Sequence, residues 1–124
     1  MDRYGKMRMF YQGVVADVDV ATADTSKTAI IALVANQTIY IQRIEVAIIT
    51  PAAQSLIFQD NAGTPVVIAK TAVSAPIGPI LFDFGPDGTP LTVGKQLDIA
   101  TSGAGVAARV HVEGYRKLTA VAAA

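Results

Sequence analysis

Residues 38–50 read TIYIQRIEVAIIT, the strongest strand pattern in the chain. The isoleucines at 39 and 41 alternate on one face, and the apolar residues at 44, 46 and 48 continue that alternation one residue out of phase. A shift of one residue is typical of a β-bulge, or of a bend that takes a strand from one sheet to another. The stretch therefore predicts a long strand that is irregular near Gln42 and Arg43 and ends at Pro51.

Shorter β-rich runs, separated by Gly, Pro and Asn turns, lie on both sides of this strand. Residues 107–117, AARVHVEGYRK, alternate between an apolar and a polar face. Residues 54–59 and 65–70 predict a hairpin, because Asn61 and Gly63 between them tolerate the positive φ that its loop requires. Further strands are predicted at 7–16, 28–35, 79–84 and from about Lys95, with loops at 17–27 and 85–90.

About eight short strands with regular turn signals predict an all-β sandwich or barrel, and of these we favour a single β-sandwich. We favour a jelly-roll-like sandwich with an extended N-terminal arm, although the number of strands does not by itself exclude an immunoglobulin-like order. The predicted organisation is an N-terminal arm over residues 1–13, a β-sandwich domain over 14–118 and a short C-terminal tail over 119–124.

Composition removes many classes of function. The 124 residues carry ten Lys plus Arg and ten Asp plus Glu, which disfavours a nucleic-acid binder and leaves little repulsion between copies. With no Cys and the single histidine His111, disulfides, thiolate metal sites, Cys nucleophiles and His-pair zinc sites are excluded. We predict no cofactor and a homo-oligomer.

Residues 1–13 hold no apolar run typical of a secretory signal, and no segment reaches the roughly 20 apolar residues that cross a bilayer. The sequence predicts synthesis in the cytoplasm and no membrane partner.

Candidate chemical groups are few. His111 lies mid-strand between Arg109 and Glu113, and as a general base it would need a nucleophile that the fold would have to supply. Asp17, Asp19 and Asp24 fall in a predicted acidic loop, 17–24, that lacks the glycine and closing glutamate of an EF-hand, so cation binding stays open. We predict no catalytic, cofactor-binding or metal-ligating residue, and no enzyme.

The N-terminal arm combines basic and aromatic side chains. Such a pattern is found in nucleic-acid platforms, but three cations are a small footprint, and docking to a protein partner is favoured. The predicted partner-binding residues are Arg3, Lys6, Arg8, Phe10 and Tyr11.

The runs QRIEVAII, LIFQDNAGTPVVIA, PILFDFGPDGTPL and KQLDIATSGAGVAARVHVEGY, within residues 39–117, resemble small all-β virion structural proteins of tailed bacteriophages. In size the chain is similar to capsid decoration, or cement, proteins. The resemblance implies a non-enzymatic protein that is made in the host cytoplasm, binds the outer shell of the virion as an oligomer, commonly a trimer, and stabilises it. Its implied partners are further copies of itself and the major capsid protein or another virion protein, reached through the N-terminal arm.

An alternative is a phage tail or host-recognition module that binds carbohydrate. Sugars usually stack on exposed aromatic rings, and the chain has no Trp and four tyrosines for this purpose, namely Tyr4, Tyr11, Tyr40 and Tyr115.

Overall fold

The computed structural model describes residues 11–32, 35–74 and 79–118, with only the backbone of Tyr11, Gln12 and Leu118. These residues form nine strands and no helix, so no described helix is long and apolar enough to span a membrane. The strands are β1 (Tyr11–Val20), β2 (Ser26–Ile30), β3 (Gln37–Thr50), β4 (Ser55–Asp60), β5 (Val67–Ala72), β6 (Ile80–Asp83), β7 (Thr89–Pro90), β8 (Leu97–Thr101) and β9 (Ala107–Leu118).

The strands form two antiparallel sheets. The first, called the β1 sheet, has the order β1-β9-β3-β6, with the two-residue β7 also paired to β3. The second, called the β2 sheet, has the order β2-β8-β4-β5. The protein is thus a β-sandwich, as predicted.

The strand order identifies the sandwich as a jelly roll. The pairs β1–β9, β2–β8, β3–β6 and β4–β5 are those of one long hairpin rolled up, with successive pairs placed in alternate sheets. An immunoglobulin-like order would not place the first and last strands side by side in this way. The jelly-roll prediction is confirmed, whereas residues 1–10 of the predicted arm and the tail 119–124 lie outside the described residues.

The irregularity predicted in the long strand is a β-bulge. Ile41 pairs with Gly114 and Arg43 pairs with Glu113, which leaves Gln42 as the extra residue of β3. The bulge restores the phase of the strand, so that the apolar residues on both sides of it reach the core. Because β3 stays within the β1 sheet, the alternative of a bend into the other sheet does not apply.

The bulge also explains why the neighbouring strand is split into β6 and β7. Phe84 N donates to Gln42 O at 2.8 Å, and Gln42 Nε2 donates to Pro86 O at 2.6 Å. The turn between β6 and β7 therefore wraps around the extra residue, and the predicted loop at 85–90 is wrong for Thr89 and Pro90, which pair with β3.

The predicted loop at 17–27 is wrong at both ends, because residues 17–20 continue β1 and residues 26–27 begin β2. Asp17 and Asp19 belong to β1 and point outward, while Val18 and Val20 point inward, so the alternation of the strand simply continues. Two exposed carboxylates within a strand resembled loop composition. The real turn, over residues 21–25, is closed by Asp24, whose Oδ2 accepts from Ala21 N at 2.8 Å.

The hairpin of β4 and β5 is present, but the reason given for it is wrong, since neither Asn61 nor Gly63 has a positive φ. The loop is held instead by Asp60, whose Oδ1 accepts from Ala62 N at 3.1 Å and from Val66 N at 3.0 Å. A buried carboxylate thus replaces the backbone conformation that the sequence suggested.

The core lies between the two sheets. Phe58 from β4 is fully buried and meets the ring of Phe82 from β6 edge-on, with ring centroids 5.9 Å apart. Burial of each such side chain contributes roughly 1.5–3 kcal/mol. The largest buried side chains are Phe58, Ile39, Ile41, Ile44, Leu56, Leu97 and Ile99.

Candidate functional site

Most of the predicted partner-binding residues cannot be placed. Arg3, Lys6, Arg8 and Phe10 lie outside the described residues, and Tyr11, as the first residue of β1, pairs with Lys117. The strand thus begins within the range assigned to the arm.

The face of the β1 sheet that points away from the core, called here the outer face, carries a regular pattern of charge. Strand pairing places outward side chains in rows across the sheet. One row runs from Asp17 on β1 through His111 on β9 and Glu45 on β3 to Leu81 on β6. The row beside it contains Asp19, Arg109 and Ala47.

His111 is held between two carboxylates. Its Nδ1 lies 2.7 Å from Asp17 Oδ1, and its Nε2 lies 3.4 Å from Glu113 Oε1. Because ionised carboxylates only accept, both ring nitrogens donate only when the ring is the protonated imidazolium. These hydrogen bonds, that to Asp17 being the larger cause, raise the pKa of His111 above its usual value, although partial burial opposes the shift.

The other ion pairs of the outer face are exposed. Arg109 Nε lies 3.7 Å from Asp19 Oδ1, and Arg43 pairs with Glu45 along β3. Exposed pairs of this kind contribute about 0–1 kcal/mol each. Their charges therefore matter more for what the surface attracts than for the stability of the fold.

These side chains line a shallow groove of about 540 Å³ over the outer face, called the outer groove. Its floor is apolar, with Leu81 53% exposed. Its sides carry three carboxylates against a single guanidinium. The outward residues that line it are Asp17, Asp19, Glu45, Ala47, Leu81, Arg109 and His111.

The candidate cation-binding and catalytic residues named from the sequence do not come together in one cation-binding or catalytic site. Asp17 and Asp19 take separate partners on β9, and Asp24 lies in the turn beyond the end of β1, so the acidic stretch 17–24 does not form one cation site. No metal-holding cluster of His, Asp and Glu occurs within residues 11–32, 35–74 and 79–118. Both nitrogens of His111 face carboxylates, so neither is directed at a nucleophile.

Sequence reasoning placed His111, Arg109 and Glu113 correctly on one face, but it did not identify the groove. The groove depends on Ala47, whose small side chain leaves room beside the longer ones of β9. Alternation along β3 after the bulge places Ala47 on the outward side. The sequence therefore contained a signal for the small outward residue on which the groove depends. The contribution of Leu81 required the pairing of β3 with β6.

We expect the free energy of unfolding to depend on pH because His111 on the outer face changes its protonation state. A raised folded-state pKa means that the stabilisation is complete below the unfolded pKa of about 6.5 and is lost as pH rises through the folded value. His111→Gln should therefore destabilise the protein more at pH 5.5 than at pH 8.5, in urea unfolding.

Asp17→Asn is the matched test of the cause. It should lower the pKa of His111 measured by NMR titration and reduce the pH dependence without removing the imidazole. The same destabilisation by His111→Gln at both pH values would contradict the role assigned to the imidazolium.

The two tyrosines whose side chains the structure describes, Tyr40 and Tyr115, offer limited room for a stacked sugar. Tyr40 and Tyr115 stack on one another across β3 and β9, with centroids 4.9 Å apart and planes inclined by 7°. The Tyr115 hydroxyl donates to Asp87 O at 2.7 Å. One face of each ring is thus already covered.

No protein-family model matches the chain, and no curated protein matches it. Among solved structures, it is similar to a chain of the acid-stable capsid of Helicobacter pylori bacteriophage KHP30. That match has a TM-score of 0.57 and 12% identity, and it covers 89% of this chain and 94% of that one.

It is also similar to a chain of Bacillus endospore appendages, described as disulfide-linked pili, with a TM-score of 0.53, 10% identity and 90% of each chain covered. At such identities these likenesses show the fold and support the jelly-roll assignment.

Proposed function

We propose that the protein is a non-enzymatic structural protein of a virus particle, a decoration or cement protein that binds the outer shell as a homo-oligomer and stabilises it. The observation that carries the proposal is the complete jelly roll whose notable surface is a charged, apolar-floored groove. Such a surface suits docking, and jelly rolls are common in viral capsids. A trimer is the oligomer that we favour.

The likeness to a phage capsid chain supports this assignment over a pilus. The Bacillus appendages are described as disulfide-linked. These 124 residues contain no cysteine and cannot form such links. The proposed location is accordingly the virion, with residues from Arg3 to Tyr11 making contact with a neighbouring subunit of the shell.

The deciding measurement is the copy number per particle, by quantitative mass spectrometry of virions purified from the source of the chain. Copies on the order of hundreds are expected for a shell protein, because each symmetry-related site is occupied. A few dozen copies would favour the tail or host-recognition alternative. Absence from particles would overturn the proposal.

We expect deletion of residues 1–10 to abolish binding to particles stripped of the protein, measured by co-sedimentation. The deletion ends before Tyr11, so β1 is kept and circular dichroism should show an unchanged fold. Lys70→Ala, an exposed change on the β2 sheet, is the control and should bind normally. Full binding by the deletion variant would contradict the role of the N-terminal residues.

A further inference from the structure

We infer that the outer groove binds the N-terminal segment, residues 1–10, of a second copy of the chain. The inference deepens the proposed function, on which it rests, by naming the partner surface for this segment. Three independent properties carry it: the charge of the groove, the charge of the segment, and the distance between the groove and the point where the segment leaves the sandwich.

The charge of the outer groove favours a positively charged occupant. Three carboxylates, those of Asp17, Asp19 and Glu45, line it against Arg109, and His111 adds positive charge only when protonated. The adjoining row adds Glu113 and Asp83 against Arg43. Two such faces brought together would repel each other, so face-to-face pairing of copies is disfavoured.

The N-terminal segment has the opposite character. Arg3, Lys6 and Arg8 outnumber its one carboxylate, Asp2. It also carries Met7, Met9 and Phe10, apolar side chains that the floor formed by Ala47 and Leu81 can cover. The basic side chains of the segment thus complement the carboxylates of the groove, and its apolar side chains complement the apolar floor.

The segment leaves the sandwich at the wrong end to reach its own groove. Tyr11 begins β1, and Asp17 lies six residues further along that strand, about 20 Å away at 3.4 Å per residue. Arg8 is three residues from Tyr11 and Lys6 is five, which allows about 10 Å and about 17 Å of fully extended chain, so the backbone of neither residue reaches Asp17 of its own strand. A groove on a neighbouring copy can lie next to the segment, so the length of chain before Tyr11 does not limit that contact.

Docking of this kind is head-to-tail, because the segment of one copy meets the groove of the next. Such a contact closes into a ring where the rotation between copies allows it, and gives an open filament otherwise. A closed ring agrees with the trimer of the proposed function. Since the contact is largely electrostatic at its rim, we expect it to weaken with salt.

The absence of cysteine makes cross-linking a direct test. Two differently tagged chains, one with Arg8→Cys and one with Ala47→Cys, would be co-expressed and oxidised. A disulfide between the two tagged chains is expected, located by mass spectrometry. Arg8→Cys paired with Lys70→Cys, on the outward face of the β2 sheet, is the control and should give little product. Equal yields from both pairs, or a bond formed only within one chain, would overturn the inference.

Charge exchange gives a second test that does not depend on cysteine. Arg3, Lys6 and Arg8 changed together to Glu should weaken self-association at least about tenfold, seen as a shift to monomer in analytical ultracentrifugation. Adding Asp19→Lys and Glu45→Lys should restore the oligomer. Wild type that is monomeric, or a charge-reversed variant that stays oligomeric, would contradict the inference.

The two proposals can fail separately. Abundant copies in virions without the Arg8–Ala47 cross-link would mean that the segment binds another shell protein, which overturns the inference and leaves the proposed function in place. The cross-link in purified oligomers of a chain absent from virions would overturn the proposed function alone.

Discussion

Replacing Gly114 with alanine is expected to destabilise the protein by about 3 kcal/mol, at the upper end for overpacking within a close-packed structure. Gly114 lies on the inner side of β9, opposite the bulge of β3. A Cβ at this position would come within 2.2 Å of the Tyr40 carbonyl oxygen and 3.3 Å of the Ile41 Cα. Both contacts are with backbone of a central strand, which cannot rotate aside as a side chain would.

The cause is a close approach rather than an unusual conformation, since Gly114 does not have a positive φ. Gly13→Ala is the matched control: Gly13 lies on β1, pairs with the neighbouring residue Tyr115, and a Cβ there would meet nothing within 4 Å. Because glycine weakens a strand, this control should be neutral or slightly stabilising. Urea unfolding of both variants measures the difference, and equal stabilities would show that the sheet relaxes around the added methyl group.

The bulge of β3 creates the requirement for glycine at position 114. The bulge could be predicted from the sequence, whereas the requirement for glycine could not. The shift of phase between Ile41 and Ile44 is written in the sequence of β3 alone, and the bulge was predicted from it. The glycine lies 70 or more residues away, and its role appears only when β9 is paired with β3 in the observed register. Local patterns predict local irregularities, whereas close contacts depend on strand order.

The same distinction explains the errors at the β1–β2 turn and in the outer groove. Asp17 and Asp19 were assigned to a loop because strand composition was judged without their partners on β9. Once His111 and Arg109 lie opposite them, two carboxylates on a strand are ordinary cross-strand partners. His111 itself was placed on the correct face, because alternation within β9 needs no knowledge of its neighbours.

Asp60 is the residue whose loss we expect to matter most after Gly114, and nothing in the sequence indicates its role beyond a place in a turn. It is 0% exposed. Its Oδ2 accepts from Thr92 N at 2.9 Å and from Thr92 Oγ1 at 2.5 Å, while Oδ1 holds the β4–β5 loop. Because Thr92 follows β7, which belongs to the β1 sheet, this carboxylate ties the two sheets together at one end of the sandwich.

Asp60→Asn should therefore cost about 3 kcal/mol, because an amide has one acceptor oxygen and would turn its NH₂ toward backbone donors that then lose their partner. Asp87→Asn is the control, since Asp87 is exposed and the same change there should stay within about 0.5 kcal/mol. Urea unfolding at pH 7 compares the two variants, and similar losses would show that the buried carboxylate is replaceable.

Acid provides an independent check on the same carboxylate. Burial by itself would raise the pKa of Asp60, but the hydrogen bonds from Thr92, Val66 and Ala62 outweigh it and hold the pKa below its usual value. A depressed folded-state pKa gives stability that is present above the unfolded value of about 3.9 and lost as pH falls through the folded value. The difference in unfolding free energy between wild type and Asp60→Asn should thus be largest near neutral pH and shrink below about pH 4. A difference that stays constant into acid would mean that the asparagine fails for its shape and not for its missing charge.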